Sequence, residues 1–162
     1  MLRTSNVDEI NQLTHIPNHI KRRMQRECRE LETKYQITVE CKIDSELLVT
    51  LTQKENTYCF QICRNYPFKA PKMHINGLTH HQFFDFTSKR FRNMLKIITG
   101  FDCLCCNSML CDGNWSPSFT IGHIIRQINE YKSIKRLICL KPILDKIKQK
   151  YFIKDIDLES WF

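Results

Sequence analysis

The strongest constraint in this chain lies between Ile37 and Ile62, where apolar residues recur at every second position in three short runs. Ile37, Val39, Cys41 and Ile43 form the first run, Leu47, Val49 and Leu51 the second, and Tyr58, Phe60 and Ile62 the third. Side chains alternate between faces along a strand, so this spacing gathers the apolar residues of each run on one side of a sheet. Asp44-Ser45 and Lys54-Glu55-Asn56 are the polar breaks between runs. Connections this short join antiparallel neighbours only, which predicts a meander with one face buried.

Something must cover that face. Upstream, Ile16, Ile20, Met24, Leu31 and Tyr35, with Cys28 between them, recur at helical spacing, while Lys21, Arg22, Arg23, Arg26 and Arg29 fall off the stripe. An amphipathic opening helix is therefore expected. Downstream, Pro67 and Pro71 cannot donate to a ladder and turn the chain before a short fourth strand at Met73 to Ile75. Phe91, Met94, Leu95 and Ile98 predict a short helix between Thr87 or Ser88, as cap, and Gly100, as stop. After Pro117, Ile121, Ile124, Ile125 and Ile128 mark another helix, with further helix from about Lys132 interrupted or restarted at Pro142. Trp161-Phe162 is expected to pack back onto the core. The predicted class is α+β: an N-terminal helix packed on an antiparallel meander, followed by C-terminal helices, in one domain over residues 1–162.

A chain of 162 residues is long enough for one proper core. No apolar run approaches the length of a bilayer span, and the first residues, with Asp8 and Glu9, lack the apolar centre of a secretory signal. The expectation is a cytoplasmic protein with no membrane association, nuclear entry through Lys21-Arg22-Arg23 being left open. Nine cysteines, an odd and clustered set, then read as reduced thiols. Cys28, Cys41, Cys59, Cys63 and Cys139 stand where apolar residues are expected and serve as small hydrophobes. The formal charge of +8 comes mainly from Lys21 to Arg29, Lys89 to Lys96 and Lys132 to Lys150, and favours acidic partners. No nucleic-acid-reading motif or aromatic-interleaved basic strand accompanies it, so nucleic acid is not the expected partner.

Tyr66-Pro67-Phe68-Lys69-Ala70-Pro71 follows the meander, and Cys106-Asn107-Ser108-Met109-Leu110 precedes Trp115-Ser116-Pro117-Ser118-Phe119-Thr120-Ile121. In order and spelling this resembles the ubiquitin-conjugating enzymes, here as a divergent member. Element order matches over about residues 16 to 140, but the letters are dense only at 66 to 72 and 106 to 121. The resemblance implies that family's fold, with an inserted helix ahead of the active-site loop. It also implies transthiolation: after ATP-dependent activation, a cysteine takes ubiquitin or a ubiquitin-like modifier from an activating enzyme as a thioester and passes it to a lysine amine, with no cofactor.

Cys106 matches the nucleophile best, because Met109 and Leu110 fill the two apolar places that follow it. The gap to Trp115 is one residue longer than usual, and Cys105 and then Cys103 come next. Phe68, Ser116 and Pro117 match the loops presented to a ligase, and Lys21, Arg22 and Arg26 match the surface used for the activating enzyme. Trp115 reads as an anchor for the active-site loop. The Tyr-Pro turn also marks RWD interaction domains, which share the sheet without the cysteine. The alternative is therefore a catalytically inactive variant, or an RWD-like module, that binds ubiquitin or a ligase.

Two departures bear on activity. The family's His-Pro-Asn, whose Asn supports the oxyanion, falls on His81-Gln82-Phe83, so the Asn is absent and His81, Asn107 and Asn114 are the candidate substitutes. Roughly twenty residues, including the predicted helix before Gly100, then separate this point from Cys106 where the family has a short loop. Cys103, Cys105, Cys106 and Cys111 form a thiol cluster that suggests zinc as an alternative. Structural zinc sites generally use paired arms of C-x₂₋₄-C spacing, and C-x-C-C is a poor first arm, so no metal is expected. Zinc there would tie up Cys106 and leave a binding module.

Overall fold

A computed structural model describes residues 10, 13, 15–41, 46–86, 88–111 and 113–151. Ile43, the Asp44-Ser45 break, the Thr87 cap and the Trp161-Phe162 end lie outside the described residues. The chain runs through α1 (Asn18–Leu31), β1 (Gln36–Cys41), β2 (Leu47–Gln53), β3 (Asn56–Ile62), β4 (Lys72–Ile75), β5 (Leu78–Thr79), α2 (His80–Phe84), α3 (Lys89–Thr99) and α4 (Ile121–Tyr151). The strands form a five-stranded antiparallel sheet in sequence order, so the protein is α+β with a meander at its centre.

Register follows from the alternation. Val39 pairs with Val49, Val49 with Phe60 and Phe60 with Met73, which makes one apolar row across four strands. These residues join Ile20, Met24 and Cys28 of α1 and Ile121, Ile124 and Ile128 of α4 in a single buried cluster. The opening stripe extends beyond its helix, since Ile16 and Tyr35 are buried as well.

The sheet continues past the predicted fourth strand. Asn76 and Gly77 both have positive φ, 50° and 82°, and turn β4 tightly into β5. Asn-Gly is the favoured pair for a two-residue hairpin of this hand. Thr79 then caps α2: its hydroxyl accepts from Gln82 N at 3.2 Å while Gln82 Oε1 accepts from Thr79 N at 3.1 Å. Neither β5 nor α2 was expected, although Asn76-Gly77 and Thr79-x-x-Gln82 carry the signals for both.

Gly100 ends α3 as expected, in the left-handed conformation with its N–H on Lys96 O at 2.9 Å. At the far end of the chain, the expected break at Pro142 is corrected: α4 is continuous from Ile121 to Tyr151 with Pro142 inside it. One missing backbone donor is tolerated here because Pro142 is buried and Ile138, one turn earlier, sits fully in the core. Helix α4 begins at Ile121, not directly after Pro117; Thr120 caps it, taking His123 N at 3.3 Å. Lys132 Nζ fixes α4 to the sheet by donating to Asn56 Oδ1 at 2.6 Å and Tyr58 OH at 2.8 Å, and Lys135 Nζ donates to Phe83 O. Among the described residues no helix is long and apolar enough to cross a membrane.

At the junction of α1 and α4 stands Glu27, 1% exposed. Its carboxylate accepts Ile121 N at 2.8 Å, Tyr66 OH at 2.9 Å and Arg23 Nε at 2.6 Å. Arg23 was expected on the solvated face of α1. Instead it turns inward, lies 5.1 Å from the Tyr66 ring centroid and donates to Phe119 O at 2.7 Å. Glu27→Ala leaves all of these donors facing a cavity and should cost about 3–5 kcal/mol, as removal of one partner of a buried pair does. Urea unfolding with an unchanged slope is the measurement; a loss under about 1 kcal/mol, the range of exposed ion pairs, would contradict this assignment.

Candidate functional site

Residues 103–111 form a run of turns between α3 and α4. Leu104 and Leu110 are buried and anchor it in the core from either end. Between these anchors the carbonyls of residues 105–108 all have a donor. Gln127 Oε1, on α4, accepts from Ser108 Oγ at 3.0 Å and from Met109 N at 3.0 Å. Tyr131 OH, one turn further along, donates to Asn107 O at 3.1 Å. The Asn107 amide donates to Cys103 O at 3.2 Å, and the Asn114 amide to Cys106 O at 3.0 Å and Ser108 O at 3.2 Å.

Those bonds give Asn107 and Asn114 a definite job. Asn114 Nδ2 donates to two carbonyls of the turn, one for each of its N–H groups, so the side chain braces the Cys106 backbone. His81, the third residue considered for the missing Asn, is exposed and lines two neighbouring hollows.

The first hollow is a shallow groove of about 260 Å³ lined by His80, His81, Cys105, Cys106, Leu110 and Cys111. The second, about 280 Å³, lies on the α3 side and includes Cys103, Asp102 and Arg92. Cys106 is exposed in the first groove, whereas Cys105 is only 3% exposed. The sulfur atoms of Cys103, Cys105 and Cys106 lie within 4.8 Å of one another. Cys111 lines the same groove but stands outside that trio.

Proximity sets the proton affinities of the thiols. Burial pushes Cys103 up, but hydrogen bonds from the thiols and backbone N–H groups of Cys105 and Cys106 more than offset it and hold Cys103 below the usual thiol range. Burial, then the Cys103 contact, pushes Cys105 up to about 12. The hydrogen bond and charge of Cys103 also raise Cys106, although it is exposed. His80 is held down by burial and by His81 and His74, which favours a neutral imidazole at the groove.

Trp115 ties this turn to the proline turn. Its Nε1 donates to Pro67 O at 2.7 Å, and its ring lies 6.2 Å from that of Tyr66. Chain neighbours of this bond therefore emerge side by side: Phe68, 78% exposed, next to Pro67, and Ser116-Pro117 next to Trp115. On α1, Arg22 and Arg26 are exposed and line a shallow basic groove of about 450 Å³ with Gln25, Arg29 and Glu30. Lys21 is the correction on this surface. It is only 8% exposed, because it occupies the turn of α1 facing inward next to Ile20 and Met24.

Sequence reasoning weighed His80 only as a structural histidine and missed Gln127 and Tyr131. The signal for the last two was present: Gln127 is a polar residue flanked by Ile124 and Ile128 on α4, and Tyr131 extends that stripe by one more step. A search of protein-family models, curated proteins and solved structures finds no match to this chain.

Exposure and proton affinity together rank the thiols. With limiting iodoacetamide at neutral pH and chelator present, peptide mapping should find Cys106 and Cys103 alkylated well ahead of Cys105 and Cys28, both held at about 12 by burial. Equal labelling of Cys105 and Cys106 would contradict the arrangement of the turn.

Proposed function

We propose that the chain is a conjugating enzyme for ubiquitin or a ubiquitin-like modifier, with Cys106 as the residue that carries the modifier. The observation that carries this reading is the exposed Cys106 sulfur at a groove, on a turn braced by Asn114, Gln127 and Tyr131 and linked through Trp115 to the Tyr66-Pro67 turn. A nucleophile that must accept a protein-sized acyl group needs this combination of an open sulfur on a fixed backbone. The order of helix, meander, proline turn, cysteine turn and helix supports the family's architecture, with α2 and α3 as the insertion.

The chemistry is a pair of acyl transfers. The Cys106 thiolate attacks the carbonyl carbon of the activating enzyme's thioester; a new C–S bond forms, the old one breaks, and the activating enzyme's thiolate leaves. A lysine amine then attacks the same carbon, Cys106 departs as thiolate, and the proton of the amine passes to water or to the neutral imidazole of His80. Because both Asn107 and Asn114 are engaged within the turn, they act here as positioning residues. Phe68 with Ser116-Pro117 would meet a ligase, and Arg22 with Arg26 the activating enzyme.

Incubation with an activating enzyme, ATP and modifier should give an adduct that thiol reductant removes. In Cys106→Ser the adduct should become a reductant-resistant ester or disappear, while Cys139→Ser should charge normally. Absence of an adduct with a panel of activating enzymes and modifiers sinks the reading and leaves the binding module. Retention of the labile adduct in Cys106→Ser, with its loss in Cys103→Ser, moves the nucleophile. Replacing Arg22 and Arg26 together by Glu should slow charging about tenfold or more through the encounter rate, with the melting temperature unchanged.

A further inference from the structure

We propose that Cys103, Cys105 and Cys106 form a zinc site on the cysteine turn, and that zinc and modifier compete for the Cys106 sulfur. Zinc binding stands on the thiol geometry alone; the competition rests on the reading of Cys106 as the modifier-carrying thiol.

Three sulfurs within 4.8 Å of one another are close to what a tetrahedral ion requires. Zn–S bonds of about 2.3 Å place thiolates about 3.8 Å apart, so no pair of the trio needs to close by more than about one ångström. C-x-C-C is a poor arm when extended, since adjacent side chains diverge. Here the chain is turned back on itself: Ser108 N reaches Cys105 O at 3.2 Å, and the Asn107 amide reaches back to Cys103 O at 3.2 Å. Leu104, fully buried between the first two ligands, fixes the arm to the core. Ligands presented from a hydrogen-bonded backbone are already organised for a metal.

Two of the three ligands, Cys105 and Cys106, line the groove together with Cys111, His80 and His81, all three of them residue types that could supply a fourth ligand. Cys103, Cys105 and Cys106 form no disulfide, so their sulfurs are not withheld. Binding converts each ligand thiol to thiolate and releases its proton. A thiolate whose lone pair is held by zinc cannot at the same time attack a thioester carbon, so occupancy silences Cys106 without altering the fold.

The test uses the full chain, reduced and freed of metal. Cobalt added as a probe should bind one ion per chain, with thiolate-to-cobalt charge-transfer absorption and the intense visible bands of a tetrahedral site, and zinc should bleach the spectrum. Zinc should shield Cys103, Cys105 and Cys106 from alkylation and leave Cys139 open, a readout that needs no variant. Replacing all three by Ser should weaken binding by more than about a hundredfold, beyond the effect of losing an outer partner. A weak octahedral cobalt spectrum, unshielded thiols, or undiminished binding in the triple variant overturns the site.

A final comparison separates the two readings. The zinc-loaded chain should fail to charge with modifier, and removal of zinc should restore charging. Binding without inhibition refutes the competition. A metal-free chain that binds zinc but never charges refutes the conjugating function and leaves the metal site standing.

Discussion

A buried carboxylate is a costly object, and the structure is arranged around meeting the demands of one. Glu27 sits on α1, and an ionised group there is tolerated only with donors on every side. One donor, Arg23, comes from the same helix, and two come from distant parts of the chain: the Tyr66 hydroxyl from the proline turn and, last, the Ile121 N–H from the start of α4. The last of these places a negative charge at the positive end of a helix dipole. Burial and the Glu27 charge in turn raise the affinity of the Tyr66 phenol for its proton, so it remains a donor. Tyr66 neighbours Trp115, Trp115 holds Pro67, and Pro67 borders the exposed Phe68. Helix, turn and candidate site are thus linked through one carboxylate.

Parts of this were legible because period-two and period-3.6 patterns report directly on which face is buried. The alternation of Val49, Leu51, Tyr58 and Phe60 predicts the meander, and the structure pairs those residues in the register the alternation requires. Gly100 was legible for a similarly local reason, since few residues but glycine adopt its φ of 76°. Where tertiary contacts outweigh local preference, reading failed. Pro142 would break an isolated helix, but burial beside Ile138 holds it within α4. Lys21 and Arg23 look like surface cations by type, yet they face inward; the i,i+4 spacing of Arg23 and Glu27 is visible in the sequence, but not that Glu27 is buried. The hairpin at Asn76-Gly77 was a different kind of miss, since its signal was local and went unused.

For the cysteine turn, the chain shows that four thiols are near one another in sequence but not that three converge. That convergence depends on which way the backbone bends between Cys103 and Ser108, and the bend is set by bonds from Gln127 and Tyr131 on a helix that begins ten residues after the last of these thiols. The same bonds decide the roles of Asn107 and Asn114, which look like spare polar groups in the sequence and are braces in the fold. Reactivity follows from crowding. Where sulfurs share hydrogen bonds, one thiol is made more acidic and its neighbours less so, which distributes over three residues a property that a lone nucleophile would hold by itself.

The separations in sequence of these bonds carry a kinetic meaning. Ser108, Met109 and Asn107 reach α4 across 19, 18 and 24 residues, whereas the bond from Glu27 to Ile121 closes a span of 94. Loop-closure entropy makes the longer span more costly by about 1.4 kcal/mol. On chain entropy alone, the bonds that hold the turn to α4 are therefore the easier ones to close, and the bond at the carboxylate the harder.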